Sequence, residues 1–198
     1  LLFFVLVLLA LVGISSITSE WVAKQGAENW IGVVNITGII SDSQHIVNQV
    51  KKFGQDKRIQ GIVLRIDSPG GSVGPSQEIY DEVLKTRKGG KIIYASMGTL
   101  AASGGYYIAS ATEKIFANPG TLTGSIGVIM VFSNAKGLME KIGLQPEIIK
   151  AGKYKDIGSP ARAMTQNEKN LLQSVVTDVH QQFIEAVANG RDISIAEV

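Results

Sequence analysis

From residue 31 onward, short apolar runs alternate with amphipathic stretches. The runs at 31–36 (IGVVNI), 61–66 (GIVLRI), 91–96 (KIIYAS), 114–117 (KIFA), 125–130 (SIGVIM) and 146–150 (PEIIK) predict strands, being short, β-branched and bounded by Gly, Pro or polar residues. Between them the spacing predicts helices at about 42–54, 75–87, 103–112 and 134–142. Strands that alternate with helices imply a largely parallel sheet with crossover helices, an α/β fold. A final helix is the clearest element. Thr165 and Glu168 have the capping-box spacing, and Leu171, Leu172, Val175, Val176, Val179, Phe183, Ile184 and Val187 recur at helical intervals up to Asn189-Gly190.

The opening of the chain follows a different pattern. Residues 1–19 carry no charge, and all 19 Lys+Arg and 17 Asp+Glu lie after them. As a helix this stretch spans about 28 Å, close to the roughly 30 Å hydrocarbon core of a bilayer. It therefore reads as an uncleaved transmembrane anchor (1–19), followed by a linking stretch (20–30) with Trp21 and Trp30, and then one catalytic-sized domain (31–198). The start, lacking Met and a basic flank, reads as clipped. A cleaved secretion signal is the rival reading, and both send the rest of the chain out of the cytoplasm.

Composition narrows the chemistry. The absence of Cys excludes disulfides, thiolate metal sites and cysteine nucleophiles. His45 and His180 are the only histidines, too few for a histidine metal cage and badly placed for a Ser-His-Asp triad. A net charge of +2 gives no broad basic field, so no nucleic-acid partner is expected.

Two glycine-rich segments each follow a predicted strand: Asp67-Ser68-Pro69-Gly70-Gly71-Ser72-Val73-Gly74 and Leu100-Ala101-Ala102-Ser103-Gly104-Gly105. Neither has the spacing of a nucleotide-binding loop. At the carboxyl ends of parallel strands both should face one crevice, where glycine amides and a helix N-terminus can form an oxyanion hole. A plainer role for Ala-Ala-Ser-Gly-Gly is tight helix packing. If a serine there attacks a carbonyl, no histidine is at hand for its proton. A lysine can serve, provided it is neutral, which at pH 7 costs about 4.6 kcal/mol against its reference pKa. The loop Lys150-Ala-Gly-Lys153-Tyr-Lys155-Asp-Ile-Gly-Ser-Pro160 carries the candidates, and spacing does not choose between Lys153 and Lys155.

The strings IDSPGGSVG (66–74), YASMGTLAASGGYYIA (94–109), LTGSIGVIM (122–130) and GKYKDIGSP (152–160), in this order, resemble the bacterial signal peptide peptidase A (SppA) family of membrane-anchored serine proteases. The resemblance implies a ClpP/crotonase-like spiral of βαβ units. It implies Ser103 as nucleophile, Lys155 as general base, Gly71 and Gly104 as backbone oxyanion donors, and Ser125 as a hydroxyl that hydrogen-bonds the lysine amine. A Clp-type subunit would need a His near position 128, where this chain has Val128. The family's function would make this a Ser-Lys endopeptidase needing no metal or cofactor. It would cleave extended apolar peptides such as released signal peptides, on the outer side of the bacterial inner membrane. Family members continue past the residue equivalent to Val198, and half-length members resemble ring-shaped homo-oligomers in which the lysine loop can reach the serine of a neighbouring subunit. Two rivals share the fold: a crotonase-like acyl-thioester enzyme, which would bind coenzyme A and tolerate loss of Ser103, and an inactive membrane scaffold.

Overall fold

The computed structural model describes residues 29–198, which divide into two compact units meeting at Leu122 and Thr123. The expected anchor and all but the last two residues of the expected linker lie outside the described residues. Among the described residues, no helix is long and apolar enough to cross a membrane.

The first unit is built on a parallel sheet. Strands β1 (Trp30–Ile40), β2 (Ile59–Gly71), β3 (Ile92–Ala102) and β4 (Lys114–Phe116) lie side by side in chain order. The crossovers are α1 (Gln44–Gln55), α2 (Val73–Lys88) and α3 (Gly104–Ser110). Strand residues alternate between the two faces. On one face Val34, Ile36, Ile62, Leu64, Ile66, Ile93, Ala95 and Met97 are buried, forming the core with Val50 of α1, Ile79 and Val83 of α2 and Ile108 of α3. Ile31, Val33, Ile92 and Phe116 are exposed, so all three helices cover the same face. Trp30 opens β1, with the Arg58 guanidinium over its ring at 4.9 Å.

Three strands run further than hydropathy suggested, the first of them β1, which reaches Ile40. β2 continues through Gly70 and Gly71, because Ile39 and Ile40 of β1 still pair with them, and β3 extends to Ala102. The glycine-rich segments are therefore strand ends held in the sheet rather than free turns. Short β5 (Leu122–Gly124) spans the junction of the units.

The second unit contains α4 (Lys136–Lys141), the 26-residue α5 (Gln166–Arg191) and a terminal 3-10 turn (Ile195–Glu197). The expected capping box forms: Thr165 N–H donates to Glu168 Oε2 at 2.8 Å, and Glu168 N–H to Thr165 Oγ1 at 3.3 Å. The expected stop at Asn189-Gly190 is overrun, and Asp192 takes the left-handed conformation that ends the helix. Phe183 and Val187 of the apolar stripe are buried, whereas Leu171 and Val175 remain exposed.

The strands expected at 125–130 and 146–150 do not form. A strand needs a neighbour to satisfy its backbone, and neither segment pairs with one among the described residues. Ile129 and Ile149 are correspondingly 84% and 96% exposed. Hydropathy correctly marks both segments as apolar, but carries no information about a pairing partner.

Candidate active site

Ser103 is the hinge between β3 and α3. Its φ of 51° and ψ of −122° lie in a region that non-glycine residues rarely occupy, and such strain costs on the order of 1–3 kcal/mol. The strain turns the chain sharply from strand to helix, while the Ser103 carbonyl accepts the Tyr107 N–H at 2.8 Å. The side chain remains partly exposed. A serine on a strained strand-to-helix corner presents its hydroxyl outward, a geometry that suits a nucleophile. The rings of Tyr107 and Tyr80 of α2 meet at 4.7 Å, tilted by 45°, and brace α3, and burial pushes the Tyr107 phenol up to about 12.

The two glycine-rich strand ends meet here. A Cβ on Gly70, whose φ is +92°, would fall 2.5 Å from the Gly104 nitrogen and 2.8 Å from the Ser103 Cβ. Gly71 lies so close to the Ile40 backbone that no side chain fits, and Gly104 is likewise pressed against the Ser76 hydroxyl. Close backbone approach thus requires glycine at 70, 71 and 104. This places Gly70 against Ser103 and Gly104, while Gly71, next in the chain, lies against Ile40. Side chains not singled out from the sequence hold the arrangement. The Asp67 carboxylate accepts the Leu100 N–H at 3.1 Å, tying the two strand ends together, and Ser68 is wholly buried between them.

Ser125 and Lys155 belong to the second unit. Within their loop the three lysines differ. Lys150 forms an ion pair with Asp156, and the Lys153 amine lies 5.2 Å from the Tyr154 ring centroid. The Lys155 amine has no hydrogen-bond or ion-pair partner among the described residues, and its side chain is exposed. Ser125, at φ 53°, is also exposed, and no hydrogen bond joins its hydroxyl to Lys155.

A network anchors this loop to α5. Arg162 donates from Nε to Asp156 at 2.7 Å and from Nη1 and Nη2 to Glu168 at 2.8 and 2.5 Å. The arginine holds Asp156 well below the usual carboxylate range. Hydrogen bonds from Arg162 and from the Thr165 backbone lower Glu168 to about 2. Only the Thr165–Glu168 half was legible from spacing. His180 is hydrogen-bonded to the Ile126 carbonyl at 3.1 Å, and His45 is exposed at the start of α1. No three His, Asp or Glu cluster as metal ligands among the described residues.

The profile of peptidase family S49 matches residues 85–198. The chain is 40% identical over 179 residues to a candidate protease of Synechocystis sp., covering 90% of this chain and 64% of that protein. It is 35% identical over 194 residues to a candidate signal peptide peptidase SppA of Enterococcus faecium, covering 91% and 56%. It is 31% identical over 179 residues to Protease 4 of Haemophilus influenzae, covering 86% and 29%. The chain thus spans less than two thirds of the length of each of these relatives. With more than half of the chain matched by the family profile, the protein belongs to peptidase family S49.

Proposed function

We propose that this chain is the catalytic part of a membrane-anchored Ser-Lys endopeptidase. The observation that carries the reading is Ser103 in a strained strand-to-helix corner, packed against Gly70 and followed by Gly104. In this mechanism Ser103 attacks the peptide carbonyl and its proton passes to neutral Lys155. The tetrahedral oxyanion is held by the Gly71 and Gly104 amides, an interaction worth on the order of 3 kcal/mol per donor. Protonated Lys155 gives its proton to the departing amine, leaving an acyl-enzyme at Ser103. Neutral Lys155 then takes a proton from water, which attacks the ester and releases the second product.

Lys155 is favoured over its neighbours because Lys150 is committed to Asp156 and Lys153 lies against Tyr154. Its exposure in the single chain means that the dry surroundings a neutral amine needs must come from bound peptide or a neighbouring subunit. In the same reading Ser125 orients the amine once it is covered, and the subunits assemble as a ring. Residues 1–19 anchor each chain in the bacterial inner membrane with the catalytic part outside, a placement that suits released signal peptides as substrates. The fold is then the ClpP/crotonase-like spiral, of which the parallel βαβ order forms part.

Treatment of the full chain with a serine-directed phosphonate and a coenzyme A affinity resin tests this reading. It expects covalent label on Ser103 and no retention on the resin. Absence of label at Ser103 would overturn it.

A further inference from the structure

A buried hydroxyl outside the proposed dyad is hydrogen-bonded at the bulge that leads into Gly70 and Gly71. Ser68 is 0% exposed in the centre of the sheet. Its Oγ donates to the Gly38 carbonyl at 2.6 Å and accepts the Gly70 N–H at 3.0 Å. The sheet is irregular on both sides of it. Thr37 pairs with Asp67 and Ile39 with Gly70, so Ser68 and Pro69 together face the single residue Gly38. On the other side Ile66 pairs with Met97 but Ser68 with Ala101, so β3 bulges where β2 does not. Bulges leave ladder groups without their regular partners and re-aim the chain. Proline at 69 has no N–H to offer, and the Ser68 hydroxyl takes up the Gly70 amide.

That hydrogen bond sets the peptide plane leading into Gly70, whose positive φ brings its Cα against Ser103 and Gly104. The next amides follow from it. Ser72 N–H donates to Ile40 O at 2.7 Å, toward β1. Gly71, the residue after Gly70, lies against the Ile40 backbone and carries the amide that the peptidase reading assigns to the oxyanion. We infer that Ser68 is a positioning residue, which through Gly70 aims the Gly71 amide at the developing oxyanion. This inference rests on the peptidase reading above. It concerns the transition state, because the oxyanion forms only there.

The test compares full-length wild type, Ser68→Ala, Ser68→Thr and Ser103→Ala on a fluorogenic peptide amide with apolar residues before the scissile bond. Binding of a peptide aldehyde, which forms a tetrahedral adduct, and of the matching peptide alcohol is measured alongside. A misaimed donor predicts that folded Ser68→Ala loses about 10- to 100-fold in kcat with KM within about twofold. Aldehyde affinity falls by a similar factor and alcohol affinity is unchanged. Ser68→Thr, which retains the hydroxyl, recovers most of kcat. Wild-type kcat in Ser68→Ala, a change confined to KM, or a Ser68→Ala protein unfolded at the assay temperature would overturn the positioning role. If Ser103→Ala cleaves as fast as wild type, the peptidase reading falls and the Ser68 role with it. Inactive Ser103→Ala beside fully active Ser68→Ala removes the Ser68 role alone.

Discussion

Gly70 and Ser103 are packed so closely that a methyl group on the glycine would lie 2.8 Å from the serine Cβ. The two residues are far apart in sequence and sit at the ends of neighbouring strands, so their contact joins the two glycine-rich segments into one site. Gly70→Ala therefore meets both a positive φ and a steric block by the Gly104 nitrogen. The expected cost is about 1–3 kcal/mol, read by denaturant unfolding, with loss of peptidase activity in the folded fraction. Wild-type stability in this variant would contradict the packing described.

Gly104 and Ser76 form a second such contact, and their coupling is measurable. Gly104→Ala forces its methyl into the Ser76 hydroxyl, at an expected cost of about 1–3 kcal/mol. Ser76→Ala removes the obstructing oxygen. The two substitutions together should therefore destabilise less than the sum of the single changes, by at least about 0.5 kcal/mol in a double-mutant cycle. Strict additivity would show that the two positions do not press on each other.

The acid sensitivity of the second unit follows from Glu168. Its carboxyl titrates at about 2 in the folded chain against an ordinary value of 4.5, because Arg162 and the Thr165 amide favour the charged form. A lowered folded value means that the unfolded chain binds the proton first as pH falls. The stabilisation is thus complete above about pH 4.5 and is lost progressively toward pH 2, with Asp156 acting in the same direction. Thermal melts between pH 6 and pH 2 should show this decline. Glu168→Gln should be less stable at pH 6 and show a shallower decline, whereas an unchanged slope would remove Glu168 as its source.

Periodicity was enough for the parallel α/β order, because each helix of the first unit buries one apolar face on the sheet. It was also enough for the capping box at Thr165, where the signal is local. What it missed depends on partners distant in sequence. The continuation of β2 through Gly71 is set by Ile39 and Ile40. The apolar runs at 125–130 and 146–150 look like strands, yet have no pairing neighbour among the described residues. At the site, glycines beside a serine were visible as a pattern. The positive φ of Ser103 and the buried hydroxyl of Ser68 were not, since the first belongs to the corner between β3 and α3 and the second to the packing of β2 between β1 and β3.

The lysine loop distinguishes three chemically similar side chains. Lys153→Ala removes an amine lying against the Tyr154 ring at the surface and is expected to leave kcat/KM within about threefold of wild type. A loss as large as that of Lys155→Ala would reassign the base to Lys153.

The central claim, a serine deprotonated by a lysine, is tested most directly by the pH–rate profile for hydrolysis of an apolar fluorogenic peptide by the full-length protein, beside Ser103→Ala and Lys155→Ala. The account predicts that both variants lose at least about a thousandfold in kcat. It also predicts that wild-type activity rises through a single ionisation well below the ordinary lysine value of about 10.4. Undiminished turnover in either variant, or a rise that begins only near that ordinary value, would contradict it.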